Sequence, residues 1–248
     1  MVQDKINKTA VIIPARLNST RLKNKLLLTV NDKPVIQYVY ESAKKAKLTS
    51  KVIIATDSEE IYGIAKNFGA EVEMTSADHK SGSDRIAEVA KRHSEFEYIL
   101  NMQGDEPEIT PEVIDKALDV IQNTNADIST LVRKITDKEQ IESPNCVKCV
   151  FDNDFNALYF SRYPIPYPRN PEFATYYAHI GMYGYKKDAL LKMTSLPQAE
   201  IEKTESLEQL RALYNGMKIK VILTELNPTG IDTIEDFNKF KSSFQNQQ

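Results

Sequence analysis

Residues 9–16 read Thr9-Ala10-Val11-Ile12-Ile13-Pro14-Ala15-Arg16. The run from Thr9 to Ile13 does not alternate apolar with polar residues, which is typical of a strand that is buried on both faces. The run stops at Pro14, and the cation Arg16 follows two residues later. This stretch predicts a parallel strand of an α/β fold, with a polar loop at its carboxyl end.

Helical patterns and short apolar strands alternate after this first strand. Val35, Ile36, Val39, Ala43 and Ala46 recur at helical spacing, and Pro34 suits the first turn of that helix. Strands are predicted at Val52–Ala55, Glu71–Met74 and Tyr98–Met102, and helices before Asn67, over Ser83–Arg92 and from Thr110-Pro111. The order predicts the α/β class, with a mostly parallel, Rossmann-like sheet flanked by helices.

The second half of the chain has a different pattern. Its predicted elements are the aromatic strands Leu158–Arg162 and Ile180–Tyr185, a helix Glu205–Tyr214, a strand Lys218–Leu223 and a last helix after Thr233. We expect one compound domain over residues 1–248 with a mixed second-half extension, in which residues 1–125 and 126–248 form two parts.

Composition excludes several classes of protein. The 248 residues are 41% hydrophobic and 27% charged, with a formal net charge of -3, which is unlike a strongly basic nucleic-acid binder. The longest apolar runs, such as Val52–Ala55, fall far short of the roughly 20 residues of a membrane span. With no apolar stretch in Met1–Lys5 and only two cysteines, we expect a cytoplasmic protein that binds no nucleic acid and does not insert into a membrane.

Three polar clusters follow predicted strands directly: Pro14-Ala15-Arg16, Thr56-Asp57 and Gln103-Gly104-Asp105. Ligands of open α/β sheets bind beyond the carboxyl ends of the strands. We therefore expect residues that are distant in sequence to meet at one edge of the sheet.

Arg16, Arg21 and Lys25 crowd three cations into the loop after the first strand. Such a group repels itself unless an anion lies among its members, and a triphosphate suits the Arg forks and the Lys point charge. A solvated basic loop is the alternative. The chain has neither GxxxxGK[ST] nor GxGxxG, so the usual nucleotide motifs are absent.

Acidic and aromatic residues suggest two further sites. Asp105, behind a Gly that permits close backbone approach, suits a Mg²⁺ ligand, and Asp232 is a candidate second carboxylate; turn caps are the alternative. His179 and Tyr183 share one face of a predicted strand, so with Arg162 they could recognise a carboxylate and hydroxyls, although a structural histidine is the commoner case.

The cysteines form a C-x-x-C pair, Cys146 and Cys149. Redox pairs of this form usually open a helix, whereas this one leads into the strand-like run Val147–Phe151. No second pair completes a zinc site. A structural role is therefore favoured over a redox or metal module.

Ordered segments along nearly the whole chain resemble the 3-deoxy-D-manno-octulosonate (KDO) cytidylyltransferase family. They are Ile12–Arg16, Ser19–Leu22 with Lys25, Thr56-Asp57, Thr75–Arg85, Asn101–Pro107, Asn156–Arg162, His179–Tyr183, Leu207–Arg211 and Thr229–Thr233. The resemblance implies a nucleotide-diphospho-sugar transferase fold, a homodimer and the reaction of CTP with KDO, an acidic eight-carbon sugar, to give CMP-KDO and pyrophosphate for lipopolysaccharide biosynthesis.

The resemblance also implies roles for individual residues, with nucleotide binding in residues 1–125 and sugar binding and dimerisation in 126–248. The catalytic set is Arg16, Lys25, Asp105 and Asp232, of which Asp105 and Asp232 hold Mg²⁺. The CTP site comprises Pro14, Ala15, Arg16, Arg21, Lys25, Ser81, Gly82, Arg85 and Gln103. The sugar site comprises Gln103, Arg162, His179, Tyr183, Glu208 and Gln209.

Three points stay open at the level of sequence. The chain has Lys23-Asn24 where members of the family commonly have Pro-Gly, which removes the easy access to positive φ that Gly gives, although Asn tolerates such a φ better than most residues. The acceptor could instead be 8-amino-3,8-dideoxy-manno-octulosonate or another acidic sugar. A non-catalytic nucleotide-binding protein is the more distant alternative.

Overall fold

The structure is a computed structural model that describes residues 2–17 and 21–245, so the predicted loop residues Ser19 and Thr20 lie outside it. Contacts divide the chain into two compact units. The first falls within Met1–Asp115 and Pro228–Gln248, and the second is Lys116–Asn227. No helix in the described ranges combines the length and the apolar character that a membrane span requires.

The first unit alternates strands with helices, as predicted. Its elements up to the unit boundary are α1 (Val2–Asn7), β1 (Thr9–Ala15), β2 (Thr29–Val30), β3 (Lys33–Pro34), α2 (Val35–Lys44), β4 (Lys51–Thr56), α3 (Glu59–Asn67), β5 (Glu71–Met74), α4 (Gly82–Arg92), β6 (Tyr98–Asn101) and the start of α5 (Pro111–Asn123). A short 3₁₀ turn covers Lys25–Leu27.

The sheet of the first unit has the strand order β6-β1-β4-β5, and all of its neighbouring strands run parallel. Every residue of β1 is buried, because helices cover both faces of a sheet of this kind. Ala15 pairs with Thr56 in register, so β1 and β4 end side by side. The predicted parallel α/β architecture is confirmed.

The second unit holds a mixed sheet. Its elements are β7 (Ile128–Ile135), α6 (Lys138–Glu142), β8 (Lys148–Phe151), β9 (Ala157–Ser161), β10 (Tyr176–Lys186), α7 (Lys187–Ser195), α8 (Glu200–Glu205), α9 (Gln209–Tyr214) and β11 (Ile219–Leu223). The order is β11-β7-β10-β8-β9, in which β11 and β7 run parallel and the other pairs antiparallel. The predicted mixed extension is confirmed.

The prediction of a single helix over Glu205–Tyr214 is wrong, because two short helices meet there. Helix α8 ends at Glu205, Ser206 adopts the left-handed conformation with φ 52°, and α9 begins at Gln209. A non-glycine residue rarely takes this conformation, so the sequence carried no signal for the break.

After the second unit the chain returns to the first with α10 (Ile234–Gln245). Phe237 and Phe240 of this helix pack with Ile231, Val30 and Val35 in one buried cluster. This packing fixes the turn that carries Asp232 against the start of α2.

Candidate active site

A cavity of about 330 Å³ opens in the first unit at the carboxyl edge of its parallel sheet. Its charged lining comprises Arg16, Arg21, Lys25, Lys80, Asp105 and Asp232. The rest of the lining comprises Pro14, Leu26, Ser81, Gly82, Gln103 and Gly104. Residues of two of the three predicted clusters, the one at Pro14 to Arg16 and the one at Gln103 to Asp105, therefore meet at this cavity. Thr56 and Asp57 do not line it, and Asp57 pairs instead with the buried Arg85.

Lys25 lies at the centre of the charged groups. Its ammonium donates hydrogen bonds to Asp105 Oδ2 and, at 2.8 Å, to Asp232 Oδ1. Arg21 Nη2 lies 2.9 Å from Asp232 Oδ2. Four cations face two carboxylates across the cavity, which leaves a formal excess of positive charge. Such an excess favours a polyanionic ligand.

The electrostatics of this centre depend on burial and on its carboxylates. Burial opposes the charged form of Lys25, but Asp105 and Asp232 outweigh that effect and raise the pKa of its ammonium. Burial also raises the pKa of Glu106 to about 8, an effect that the two aspartates increase and Lys25 opposes. The Glu106 carboxyl is therefore mostly neutral near pH 7, and it adds little negative charge to the site.

Backbone contacts hold the two aspartates together. The N–H of Ile231 donates to the carbonyl of Asp105 at 2.9 Å, which joins the segments that carry the two carboxylates. Asp236 Oδ2 accepts hydrogen bonds from the N–H groups of Asp232 at 3.2 Å and Thr233 at 3.0 Å, which closes the turn at the start of α10. The pair is thus preorganised by the fold.

The loop before α4 forms another wall of the cavity. Ser81 caps α4 by accepting from the N–H of Asp84 at 3.1 Å, and the Asp84 carboxylate accepts from the N–H of Ser81 at 3.2 Å. Arg16 Nη2 donates to the carbonyl of His79 in the same loop. Sequence reasoning missed Lys80, whose only signal was its place directly before the predicted residues Ser81 and Gly82.

Two residues predicted for the CTP site do not line the cavity. The Arg85 side chain is fully buried, where it donates to Thr75 Oγ1 and lies 3.0 Å from Asp57 Oδ2. Ala15 is buried at the end of β1. Arg85 thus ties the carboxyl ends of β4 and β5 to the helix whose first residues line the cavity.

Asn24 adopts the left-handed conformation, with φ 53° and ψ 29°, directly before the 3₁₀ turn that begins at Lys25. Its carbonyl accepts a hydrogen bond from the N–H of Leu27 at 2.8 Å. Asn is among the few residues other than Gly that adopt this conformation readily. The loop therefore keeps a positive φ ahead of Lys25 without a glycine.

Asp105 and Asp232 fit a divalent cation by their donor chemistry. Both carboxylates converge on one cationic atom, Lys25 Nζ. Mg²⁺ prefers oxygen ligands and typically takes one or two carboxylates, with phosphate oxygens and water completing its coordination. In the ranges 2–17 and 21–245, no three or more His, Cys, Asp or Glu side chains cluster in a way that suits a metal ion.

The remaining predicted sugar-site residues belong to the second unit. The rings of His179 and Tyr183 lie 5.4 Å apart on β10, and His179 Nε2 lies 3.0 Å from Thr130 Oγ1. Burial lowers the pKa of His179 to about 3, so its ring is neutral at physiological pH. Gln209 is buried, and its Nε2 has no hydrogen-bond partner in the part of the chain that the structure describes.

Arg162 and Glu208 lie near the break between α8 and α9. Arg162 donates to the carbonyls of Glu205 at 2.7 Å, Pro144 at 2.8 Å and Ser206 at 3.2 Å. Glu208 Oε1 lies 3.7 Å from Arg211 Nη2. The Arg162 guanidinium therefore fixes the turn at Ser206, from which Glu208 and Gln209 follow.

The cysteines carry no sign of redox chemistry. Both are free thiols, and Cys149 is buried in β8. Burial raises the pKa of Cys149 to about 12 and also raises the pKa of Cys146. Since the thiolate is the reactive form, these values favour the structural role.

The comparisons with known proteins agree with this geometry. The family model described as Cytidylyltransferase matches residues 10–219. A 3-deoxy-manno-octulosonate cytidylyltransferase of Rhodopirellula baltica is 42% identical over 249 residues, covering 97% of this chain and 100% of the relative. The protein of the same name from Solibacter usitatus is 46% identical over 236 residues, covering 94% and 93%.

A solved structure is similar over the same length. It is CMP:2-keto-3-deoxy-manno-octonic acid synthetase complexed with CTP, with a TM-score of 0.93 and 37% identity over 97% of this chain and 100% of that chain. A cytidylyltransferase from Leptospira borgpetersenii, at 21% identity and a TM-score of 0.65, shares the fold. The chain belongs to the cytidylyltransferases and, within them, to the 3-deoxy-manno-octulosonate cytidylyltransferase family.

Proposed function

We propose that this chain is a nucleotidyltransferase that transfers the CMP group of CTP to KDO, giving CMP-KDO and pyrophosphate for lipopolysaccharide biosynthesis. The observation that carries the proposal is the cavity in which four cations and two carboxylates converge at the edge of the parallel sheet. The names of the relatives and the CTP complex of the similar structure support the choice of both substrates.

The cations of the cavity suit the triphosphate. Arg16 and Arg21 offer planar forks to phosphate oxygens, and Lys25 offers a point charge. They screen the repulsion between the triphosphate and an acidic sugar, and they stabilise the charge that develops on departing pyrophosphate. The wider CTP site comprises Pro14, Ala15, Ser81, Gly82, Arg85 and Gln103. Ala15 and Arg85 are buried and do not line the cavity, so their proposed part is to support its walls.

Asp105 and Asp232 are the residues that would hold a divalent cation, for which we propose Mg²⁺. Bound there with phosphate oxygens, the ion would supply electrostatic stabilisation of the negatively charged phosphoryl group. Lys25 pairs with both carboxylates, and Arg21 supplies a second positive charge to Asp232. When Lys25 turns to a phosphate, it releases them as ligands.

The reaction forms a bond between the anomeric oxygen of KDO and the α-phosphorus of CTP. The bond between that phosphorus and the pyrophosphate oxygen breaks, and the hydroxyl proton passes to solvent. The chain contributes mainly by holding the two anions in line. Positioning of this kind lowers the activation barrier by roughly 7–11 kcal/mol. Arg16, Arg21 and Lys25 hold the triphosphate during this step.

We propose the predicted sugar-binding roles for Gln103, Arg162, His179, Tyr183, Glu208 and Gln209. Because burial lowers the pKa of His179, its imidazole would contact the sugar in the neutral form. A neutral imidazole exchanges hydrogen bonds with sugar hydroxyls but offers no charge to a carboxylate. The unpartnered Nε2 of Gln209 is a donor of the same kind.

We also propose a homodimer that works in the cytoplasm. The second unit exposes large aromatic side chains, with Tyr163, Tyr167 and Phe173 at 72%, 80% and 79% of their full surface. Side chains of this kind are enriched at protein interfaces. Light scattering after gel filtration tests the dimer, and a monomer at micromolar concentration would contradict it.

The function is tested by incubating the purified protein with CTP, Mg²⁺ and either KDO or its 8-amino analogue. We expect pyrophosphate release and a CMP-KDO product identified by mass spectrometry, with KDO preferred. Product only from the 8-amino sugar would move the assignment to that acceptor. CTP binding without any product would indicate the non-catalytic alternative.

A further inference from the structure

One carboxylate holds the loop between β5 and α4 against the side of α4. Glu88, in the middle of that helix, accepts a hydrogen bond from the N–H of Ser76 at 3.0 Å through Oε2. The same oxygen pairs with the imidazole Nε2 of His79. A single side chain of α4 thus secures both ends of the segment from Ser76 to His79.

This loop bears directly on the charged cavity. The carbonyl of His79 accepts a hydrogen bond from Arg16 Nη2, and the next two residues, Lys80 and Ser81, line the cavity. A guanidinium carries five N–H donors in a fixed plane. One bond to this carbonyl therefore restrains the position of the Arg16 guanidinium and leaves its other donors available to a ligand.

We propose that Glu88 is a positioning residue of the triphosphate site, acting through His79 on Arg16. The proposal rests on the proposed function, because it takes CTP as the ligand of the cavity. Glu88 is not among the residues that line the cavity, so it would act on the ligand indirectly, through His79 and Arg16.

The surroundings of Glu88 confine its effect to the loop. Arg92, which pairs with Glu88, also donates to Met74 O at 2.8 Å and to Glu73 Oε2 at 3.1 Å. The start of α4 has its own cap in Ser81 and Asp84. Removal of Glu88 therefore leaves the helix and Arg92 held while the segment from Ser76 to His79 loses its anchor.

The test measures binding of CTP and of CMP, each with Mg²⁺, to the full chain by isothermal titration calorimetry. Glu88→Ala should weaken CTP binding about tenfold, which corresponds to the loss of one charged hydrogen bond between Arg16 and a phosphate. CMP binding should change far less, because Arg16 serves the phosphate tail. Glu88→Gln should recover part of the CTP affinity, since its amide oxygen can still accept from the N–H of Ser76.

The matched control is Glu97→Ala. Glu97 pairs with Lys8 at 2.9 Å, next to the amino end of β6 and away from the cavity. Its removal should leave both affinities unchanged. If Glu88→Ala unfolds, Glu88→Gln carries the comparison, with the denaturation midpoint measured for each variant.

Two results would overturn the positioning role while the wild-type protein still binds CTP. One is an unchanged CTP affinity in both Glu88 variants. The other is an equal loss of CTP and CMP affinity, which would indicate general damage to the fold. A wild-type protein that bound no CTP would instead overturn the proposed function, and the positioning role with it.

Discussion

Replacement of Gly104 by alanine tests how tightly the fold holds Asp105. A Cβ at this position would lie 3.0 Å from Ile36 Cδ1, 3.2 Å from the carbonyl oxygen of Pro14 and 3.4 Å from Leu26 Cδ1. Ile36 is fully buried, and the Pro14 carbonyl belongs to the end of β1. Neither neighbour can move without disturbing the core or the sheet.

The cost follows from these distances. Optimal carbon contacts are about 3.5–4.0 Å, so the new methyl group overlaps its neighbours by several tenths of an ångström. Forced overpacking of this kind costs about 1–3 kcal/mol of stability. The segment after Gly104 shifts to relieve it and carries Asp105 away from Lys25. A displacement of this order reduces turnover by up to about 100-fold.

The assay combines the urea midpoint of unfolding with the initial rate of pyrophosphate release. Gly63→Ala is the matched control, because a Cβ there meets nothing within 4 Å and the residue lies inside α3. That change should stabilise the protein by about 0.5–1 kcal/mol and leave turnover intact. Gly104→Ala with the midpoint and rate of the wild type would refute the reasoning.

Four further outcomes are expected. Asp105→Ala should lower turnover at least about 100-fold with a folded far-UV spectrum, and retained turnover would contradict the metal role. Arg16→Ala should raise the KM for CTP about tenfold or more and change that for KDO far less; an effect confined to KDO would contradict its assignment. The pKa of Lys25 is raised above 10.5, so its ion pairs stabilise the protein below that pH and are lost as the pH rises through the raised value. The urea midpoints of wild type and Lys25→Gln should therefore converge above pH 10.5. Burial lowers the pKa of His179 from 6.5 to about 3, so the neutral ring contributes its full stabilisation of the fold above pH 6.5 and loses it on acidification toward pH 3. Over that range the wild type should lose more stability than His179→Gln.

The sequence predicts the parallel sheet and its polar edge because those features are local. A strand buried on both faces lacks polar alternation, and parallel strands bring their carboxyl ends to one side. The sequence alone therefore places Arg16 and Asp105 at the same edge of the sheet. The break at Ser206 could not be predicted, because its left-handed backbone has no compositional signal.

The sequence could not predict which charged side chains pair across the site, because the partners lie far apart along the chain. Lys25 contacts Asp105 and Asp232, which lie 80 and 207 positions away along the chain. The loop pattern indicated three cations that await an anion, but it could not show which of them the protein neutralises itself. The contact between Arg16 and the carbonyl of His79 is of the same kind.

These internal pairs bear on how the proposed triphosphate would bind. Lys25 and Arg21 already neutralise Asp105 and Asp232, so a phosphate that recruits either cation leaves carboxylate charge uncompensated beside its own negative charge. Such repulsion in a half-buried site is costly unless a cation arrives with the phosphate. If a triphosphate binds here as proposed, we expect an exchange of partners, in which the aspartates leave Lys25 as a new positive charge replaces it. On the proposed function, the pairing of Lys25 with Asp105 and Asp232 would therefore favour a triphosphate that brings its own counter-ion.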